Sequence, residues 1–230
     1  NVTGLAKVEL VQGDRHEVRV EAPAGRVQRV QTRVDDGTLT ITNRSGHVEI
    51  PLFGDGAHTA SPRIVVTAPS IESIVVNGAV AFSAGRLDVP ALRIAASGAA
   101  KLRIDDLRAE SLRLSGAGAV QVDVAGRVTE QSISLSGAGD YRAPRLLSET
   151  AKVSVAGAGR VVVHAEQSLR VSLSGAGNVE YLGNPEVKQS VSGIGRVKRR
   201  EPGAAPAGTG FRVAAVSARG SRRPAGRFPA

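Results

Sequence analysis

The 230-residue chain has no cysteine, methionine or tryptophan, and aromatic residues make up only 3% of it. Without cysteine there is no disulfide framework, no thiol nucleophile and no thiolate metal site. With so few aromatics, the core must be built from Val, Leu, Ile and Ala. Platforms for stacking nucleic-acid bases are missing for the same reason. No run approaches eighteen apolar residues, so no apolar helix long enough to cross a bilayer is encoded. The four histidines, His16, His47, His58 and His164, lie far apart and show no metal-ligand spacing.

What the chain has in abundance is one phrase. Seven times a short alternating apolar stretch runs into a tetrapeptide close to Ser-Gly-Ala-Gly, and another such stretch follows. The copies begin at Asn77, Ser97, Ser115, Ser136, Ala156, Ser174 and Ser192. Their first glycines are Gly78, Gly98, Gly116, Gly137, Gly157, Gly175 and Gly193, separated by steps of 20, 18, 21, 20, 18 and 18 residues. Self-similarity at a period near 19 marks a solenoid, in which each unit buries its apolar face only by stacking on its neighbours.

The apolar positions alternate with period two: Leu92/Ile94, Leu102/Ile104, Leu112/Leu114, Ile133/Leu135, Val153/Val155, Val161/Val163 and Leu169/Val171/Leu173. Arg93, Arg103, Arg113, Ser134, Ser154 and Ser172 sit between them. One residue pointing in and the next pointing out is the strand rule. Leucine-rich repeats would need a Leu/Asn ladder, and helical repeats need longer units. The period therefore predicts an all-β fold, a parallel β-helix with two or three short strands per coil and hardly any helix.

A coil must turn sharply while equivalent turns stack above and below it. Glycine adopts positive φ without steric cost and lets neighbouring backbones approach closely. The first glycine is present in all seven phrases, whereas Val80 and Ala100 replace the second. The first glycine, Gly116 in its phrase, is therefore expected to hold the corner, and the second, Gly118, to be tolerant. Phosphate-binding glycine loops need a following helix and usually a Gly-Lys-Ser/Thr ending. Here a strand always follows, so nucleotide binding is excluded.

These phrases and their Val-rich strands resemble the putative autotransporter adhesin head GIN domain family of bacterial secreted and envelope proteins. The opening segment, from Val2-Thr3-Gly4-Leu5 to Val8-Glu9-Leu10-Val11-Gln12-Gly13, adds to the resemblance. So do Val18-Arg19-Val20 and the hairpin-like Asp36-Gly37-Thr38-Leu39-Thr40-Ile41. The likeness covers roughly residues 1–199. It implies a β-helical extracytoplasmic domain of a bacterium, in the periplasm, outer membrane or cell surface, and it supplies no active-site motif. A start at Asn1-Val2 without an initiator methionine fits removal of a secretory signal peptide, or excision of a domain.

Charge is unevenly placed. Residues 196–230 hold nine Lys/Arg and one acid, leaving 21 basic and 20 acidic residues in 1–195, a net of +1 there. The sequence therefore divides into one domain, 1–199, and a Gly/Pro/Arg-rich tail, 200–230, which reads as disordered. Within the domain, 1–75 reads as an N-terminal β-layer bounded by turns at Gly13-Asp14, Pro23-Ala24-Gly25, Asp35-Asp36-Gly37 and Gly54-Asp55-Gly56. The segment from Phe53 to His58 reads as an exposed loop, and 76–199 as the regular coils. The last coil near Val191 and Val197 would expose a strand edge, which Phe211-Arg212-Val213 could cover.

Catalytic constellations are poorly represented. Asp105-Asp106 with Arg103 is the nearest imitation of the acidic clusters used by polysaccharide-cleaving β-helices. Adjacent strand residues point to opposite faces, however, so the pair is expected at a solvated corner. Calcium-binding β-rolls need Asp at fixed places in every repeat, whereas Asp140 follows only one phrase. No catalytic, cofactor-binding or metal-binding residue is assigned, and no cofactor is expected. The expected role is a non-catalytic envelope or surface binding or scaffold module, adhesin-like, whose partner is a glycan or an envelope protein. The basic tail could add weak contact with anionic surfaces, without specific nucleic-acid recognition. A carbohydrate-active enzyme on the same scaffold is the alternative, and oligomeric state is not legible.

Overall fold

The computed structural model describes residues 1–21, 30–43 and 62–201. Its strands are β1 (Val2–Gln12), β2 (Glu17–Glu21), β3 (Val30–Asp35), β4 (Thr38–Asn43), β5 (Arg63–Ala68), β6 (Ser73–Asp88) and β7 (Ala91–Gly98). They continue as β8 (Lys101–Gly118), β9 (Gln121–Gly137), β10 (Asp140–Gly157), β11 (Arg160–Gly175), β12 (Asn178–Leu182), β13 (Glu186–Gly193) and β14 (Arg196–Arg199). No described residue is helical. The expected β-solenoid is what forms.

From β6 onward every pairing is parallel and nearly in register. Gly98 pairs with Gly118, Gly118 with Gly137, Gly137 with Gly157, Gly157 with Gly175 and Gly175 with Gly193. One coil shows how the sequence closes the loop. Residues 121–124 form a first side, the chain bends at Gly126 with φ +129°, and residues 127–130 and 131–137 form two more sides. Register shifts at the equivalent bend, between Ile104 and Leu107 in β8 and between Arg142 and Leu147 in β10, absorb the change of direction. The long strands are thus bent, not straight.

The alternating Val, Leu and Ile positions fill the interior. Leu92, Leu112 and Leu169 are completely buried, and Ile94, Leu114, Ile133, Leu135, Val153, Val155 and Leu173 are nearly so. Burying each such side chain stabilises the fold by about 1.5–3 kcal/mol. Two polar side chains join them, Gln131 and Ser148. Gln131 Nε2 donates to Ser148 Oγ at 2.8 Å and to the His164 carbonyl at 3.2 Å, while Tyr141 OH donates to Gln131 Oε1 at 3.1 Å. Ser148 Oγ donates in turn to the His164 carbonyl at 2.6 Å. No buried side-chain polar atom among the described residues lacks a partner.

The corner glycines correct one expectation. The stacked column is Gly78, Gly98, Gly118, Gly137, Gly157, Gly175 and Gly193, all at positive φ. In the phrase 115–118 it is therefore the second glycine that holds the corner. Gly116 has ordinary φ, and a Cβ there would meet only the flexible Leu135 side chain at 2.8 Å. A Cβ on Gly118 would lie 2.7 Å from the Gly98 carbonyl oxygen. Realigned on this column, the steps become 20, 20, 19, 20, 18 and 18 residues, more even than those between first glycines.

Stacking also starts earlier than residue 76. β1 pairs in parallel with β6 from Val2↔Val76 to Leu10↔Ala84, and Gly78 stands over Gly4. β4 and β5 pair with β1, while β2 adds to β5 and β3 to β4 in antiparallel fashion. The β3–β4 hairpin turns at Asp36-Gly37, both at positive φ. The far end is β13 and β14, whose residues are largely exposed. His47, His58, the Phe53–His58 loop, the turns at Pro23-Ala24-Gly25 and Gly54-Asp55-Gly56, and residues 202–230 lie outside the described residues.

Candidate binding surfaces

The corner that follows five of the stacked glycines, Gly98 through Gly175, is lined by alanine in coil after coil, whereas Ile194 follows Gly193. Ala99, Ala119, Ala138, Ala158 and Ala176 form the floor of an open groove of about 580 Å³. Their amides are already used: Ala119 N donates to the Gly98 carbonyl at 2.9 Å, and Ala138 N to that of Gly118 at 3.0 Å. One wall carries the outward residues that open the next side, Lys101, Gln121, Asp140, Arg160 and Asn178. The floor therefore offers no polar side chain, and the wall offers a mixed row of cation, amide and carboxylate. Asp140 is engaged by Arg142, whose guanidinium is held above its ordinary pKa by that hydrogen bond.

A smaller depression of about 290 Å³ lies between β1, β6 and β8, lined by Lys7, Glu9, Arg63, Phe82, Ser83 and Arg103 among others. Arg63 Nη2 donates to Glu9 Oε2 at 2.6 Å across it. That hydrogen bond, with the Glu9 and Glu21 charges, raises the Arg63 pKa.

Asp105-Asp106 falls at the β8 bend, and its carboxylates have separate partners. Arg103 Nε reaches Asp105 Oδ1 at 2.7 Å. Asp106 Oδ2 is 3.8 Å from Arg108 Nε and 4.0 Å from Arg86 Nε. This is a network of surface ion pairs, each worth little. His16 is exposed, and His164 Nε2 lies 2.8 Å from Glu166 Oε1. Among the described residues no three His, Cys, Asp or Glu side chains group to hold a metal ion.

The Gln131–Tyr141–Ser148 cluster escaped the sequence reading, although a signal was present. Gln131 shares the parity of Ile133 and Leu135, which places it inward despite its polarity. The cluster is sealed, and burial pushes the Tyr141 phenol far above its ordinary pKa. Its chemistry is structural.

The outer face of the side that leads into each glycine corner has a different character. Arg93, Arg113, Ser132, Lys152, Arg170 and Lys188 occupy one column, each paired in register with the next. Two residues further along the same strands stand Ser115, Ser134, Ser154, Ser172 and Ser190.

Comparison with known proteins places this architecture. Residues 1–185 match the sequence profile of the family described as putative auto-transporter adhesin, head GIN domain. A putative adhesin from Bacteroides fragilis has a similar fold, with TM-score 0.73 and 20% identity over 86% of this chain and 90% of that one. A protein described as a putative lipid binding protein from Parabacteroides distasonis gives TM-score 0.67 and 20% identity over 87% and 92%. A putative adhesin from Parabacteroides merdae gives TM-score 0.65 and 17% identity over 87% and 91%. No curated protein matches the chain.

Proposed function

The chain belongs to the putative auto-transporter adhesin, head GIN domain family, and from that membership and the surfaces above we propose a non-catalytic binding module of the bacterial envelope, displayed outside the cytoplasm. Its ligand in this reading is an extended molecule, a glycan or an envelope component, laid along the solenoid axis. The observation that carries the reading is the corner groove, which presents the same floor residue in five successive coils and an outward side chain beside each. Such a surface repeats every ~4.8 Å along the stack, which suits a ligand that is itself repetitive. The adhesin descriptions of two structural neighbours agree with surface display.

A lipid reading is favoured by one feature, the alanine floor, together with the description of one neighbour as a putative lipid binding protein. A screen of glycans and envelope lipids, run with the whole chain and with a chain lacking residues 202–230, tests both. Retention of polysaccharide by both chains supports the glycan reading, and retention of lipid alone moves the assignment to the groove floor. New reducing or unsaturated ends in the polysaccharide samples would overturn the non-catalytic assignment.

A further inference from the structure

We propose that the cation column Arg93, Arg113, Lys152, Arg170 and Lys188, with the serine column beside it, binds a linear acidic polysaccharide along the solenoid axis. The proposal rests on the reading above and names the ligand class and the face.

Every cation in the column is exposed. Arg93, Arg113, Lys152 and Arg170 have no ion pair or side-chain hydrogen bond among the described residues, and Lys188 reaches Glu186 at 3.1 Å. Several other cations of the solenoid are met by acids: Arg103 by Asp105, Arg142 by Asp140, and Arg86 and Arg108 by Asp106. Residues 1–195 carry a net charge of only +1, so a line of cations without acids between them is a local excess, not a share of a general positive charge. The acids nearest in register are Glu130 and Glu186, in the flanking column. Glu130 stands beside Ser132, the one coil of the column without a cation.

The geometry selects the ligand. In-register stacking sets the cations ~4.8 Å apart per coil, so five steps span about 24 Å in a straight line. This repeat is comparable with the length of one sugar unit in an extended polysaccharide. The adjacent column supplies a hydroxyl in each of the five coils from Ser115 to Ser190, with Ala95 in its place beside Arg93, since residues i and i+2 of a strand point the same way. Hydroxyls beside cations suit a chain bearing both hydroxyl groups and carboxylates. A bilayer would need large apolar side chains to insert, and beside the cations this face offers none larger than Ala91 and Ala95. Single-stranded nucleic acid would need aromatic platforms, which are absent from it.

The test uses the whole chain and polygalacturonate as the probe, with dextran, anionic phosphatidylglycerol vesicles and oligo(dT) as comparators. A triple variant, Arg113→Ser, Lys152→Ser and Arg170→Ser, removes the column's centre with a residue that Ser132 shows the strand accepts. Its control, Arg108→Ser, Arg127→Ser and Arg145→Ser, removes the same charge from the bend of the coils, away from the column. The expected result is binding of polygalacturonate that weakens steeply with salt, at least tenfold weaker for the column variant and less than twofold for the control. Arg113→Gln alone, which keeps the aliphatic stem, is expected to weaken binding by about threefold and serves if the triple variant fails to fold. Equal losses in both triple variants would overturn the proposal, as would equal or tighter binding of vesicles or oligo(dT). Binding of dextran or another envelope component, but not polygalacturonate, would overturn it and leave the binding-module reading standing. Binding of nothing would remove both.

Discussion

Gly118 stands directly over Gly98, at φ +99°, and a methyl group added to it would come within 2.7 Å of the Gly98 carbonyl oxygen. That contact is backbone on backbone, so neither partner can yield without breaking the ladder in which Ala119 N donates to Gly98 O at 2.9 Å.

The two glycines of the same phrase should therefore separate in a stability measurement. Gly118→Val combines the steric collision with a left-handed φ that a β-branched residue resists, and is expected to cost about 1–3 kcal/mol from the backbone alone. Gly116→Ala meets a movable Leu135 side chain at ordinary φ, and is expected to cost less. Chemical denaturation of both variants checks this. A Gly116 variant more damaging than the Gly118 variant would contradict the stacked-corner account.

The interior columns give a second expectation. Leu114→Ala, Leu135→Ala and Leu173→Ala each open a cavity in a site at most 2% exposed, and each should cost about 2–5 kcal/mol. Far-UV circular dichroism of the parent must show strand and no helix for these numbers to have their intended meaning.

Tyr141 gives the fold a pH-dependent component. Its phenol is held neutral by burial, with a folded pKa raised above the ordinary value of about 10. The folded chain thus retains a proton that the unfolded chain releases. This contribution to stability is complete below about pH 10 and is lost as pH rises beyond it. Tyr141→Phe should flatten the alkaline fall in melting temperature. It should also cost about 1–3 kcal/mol near neutrality, because Gln131 Oε1 loses its donor. An unchanged alkaline limb would show that other groups control it.

Deleting residues 202–230 is expected to leave the melting temperature nearly unchanged. Of that segment's twenty-nine residues, twenty-four are Gly, Pro, Ala, Arg or Ser, and it offers little apolar area to bury. A clear fall in melting temperature, or dimerisation seen by light scattering, would instead make Phe211-Arg212-Val213 the cover of the last coil.

The alternation of Leu92/Ile94, Leu112/Leu114 and Val153/Val155 made the architecture readable, because period two and a 19-residue repeat admit few folds. The corner in the phrase 115–118 was misassigned for a physical reason. Matching tetrapeptides aligned Gly116 with Gly98, whereas the backbone aligns residues by φ and carbonyl contact, which only Gly118 satisfies. Gln131 was legible by its parity with Ile133, but its partners Tyr141, Ser148 and the His164 carbonyl come from later coils and no local pattern joins them. The cations at Arg93, Arg113, Lys152 and Arg170 are visible as letters. Only the register shows that they fall on one line.

The near-identity of successive corners makes the molecule divisible. Joining Gly98 directly to Ala119 would excise one whole turn and rebuild the motif as Ser97-Gly98-Ala119-Val120, with the strands on either side still in phase. Gain or loss of such a unit would change length by ~4.8 Å and add or remove one row of every outward column. Length and the number of outward rows can therefore change in whole-coil steps, with the cross-section of the solenoid left unchanged.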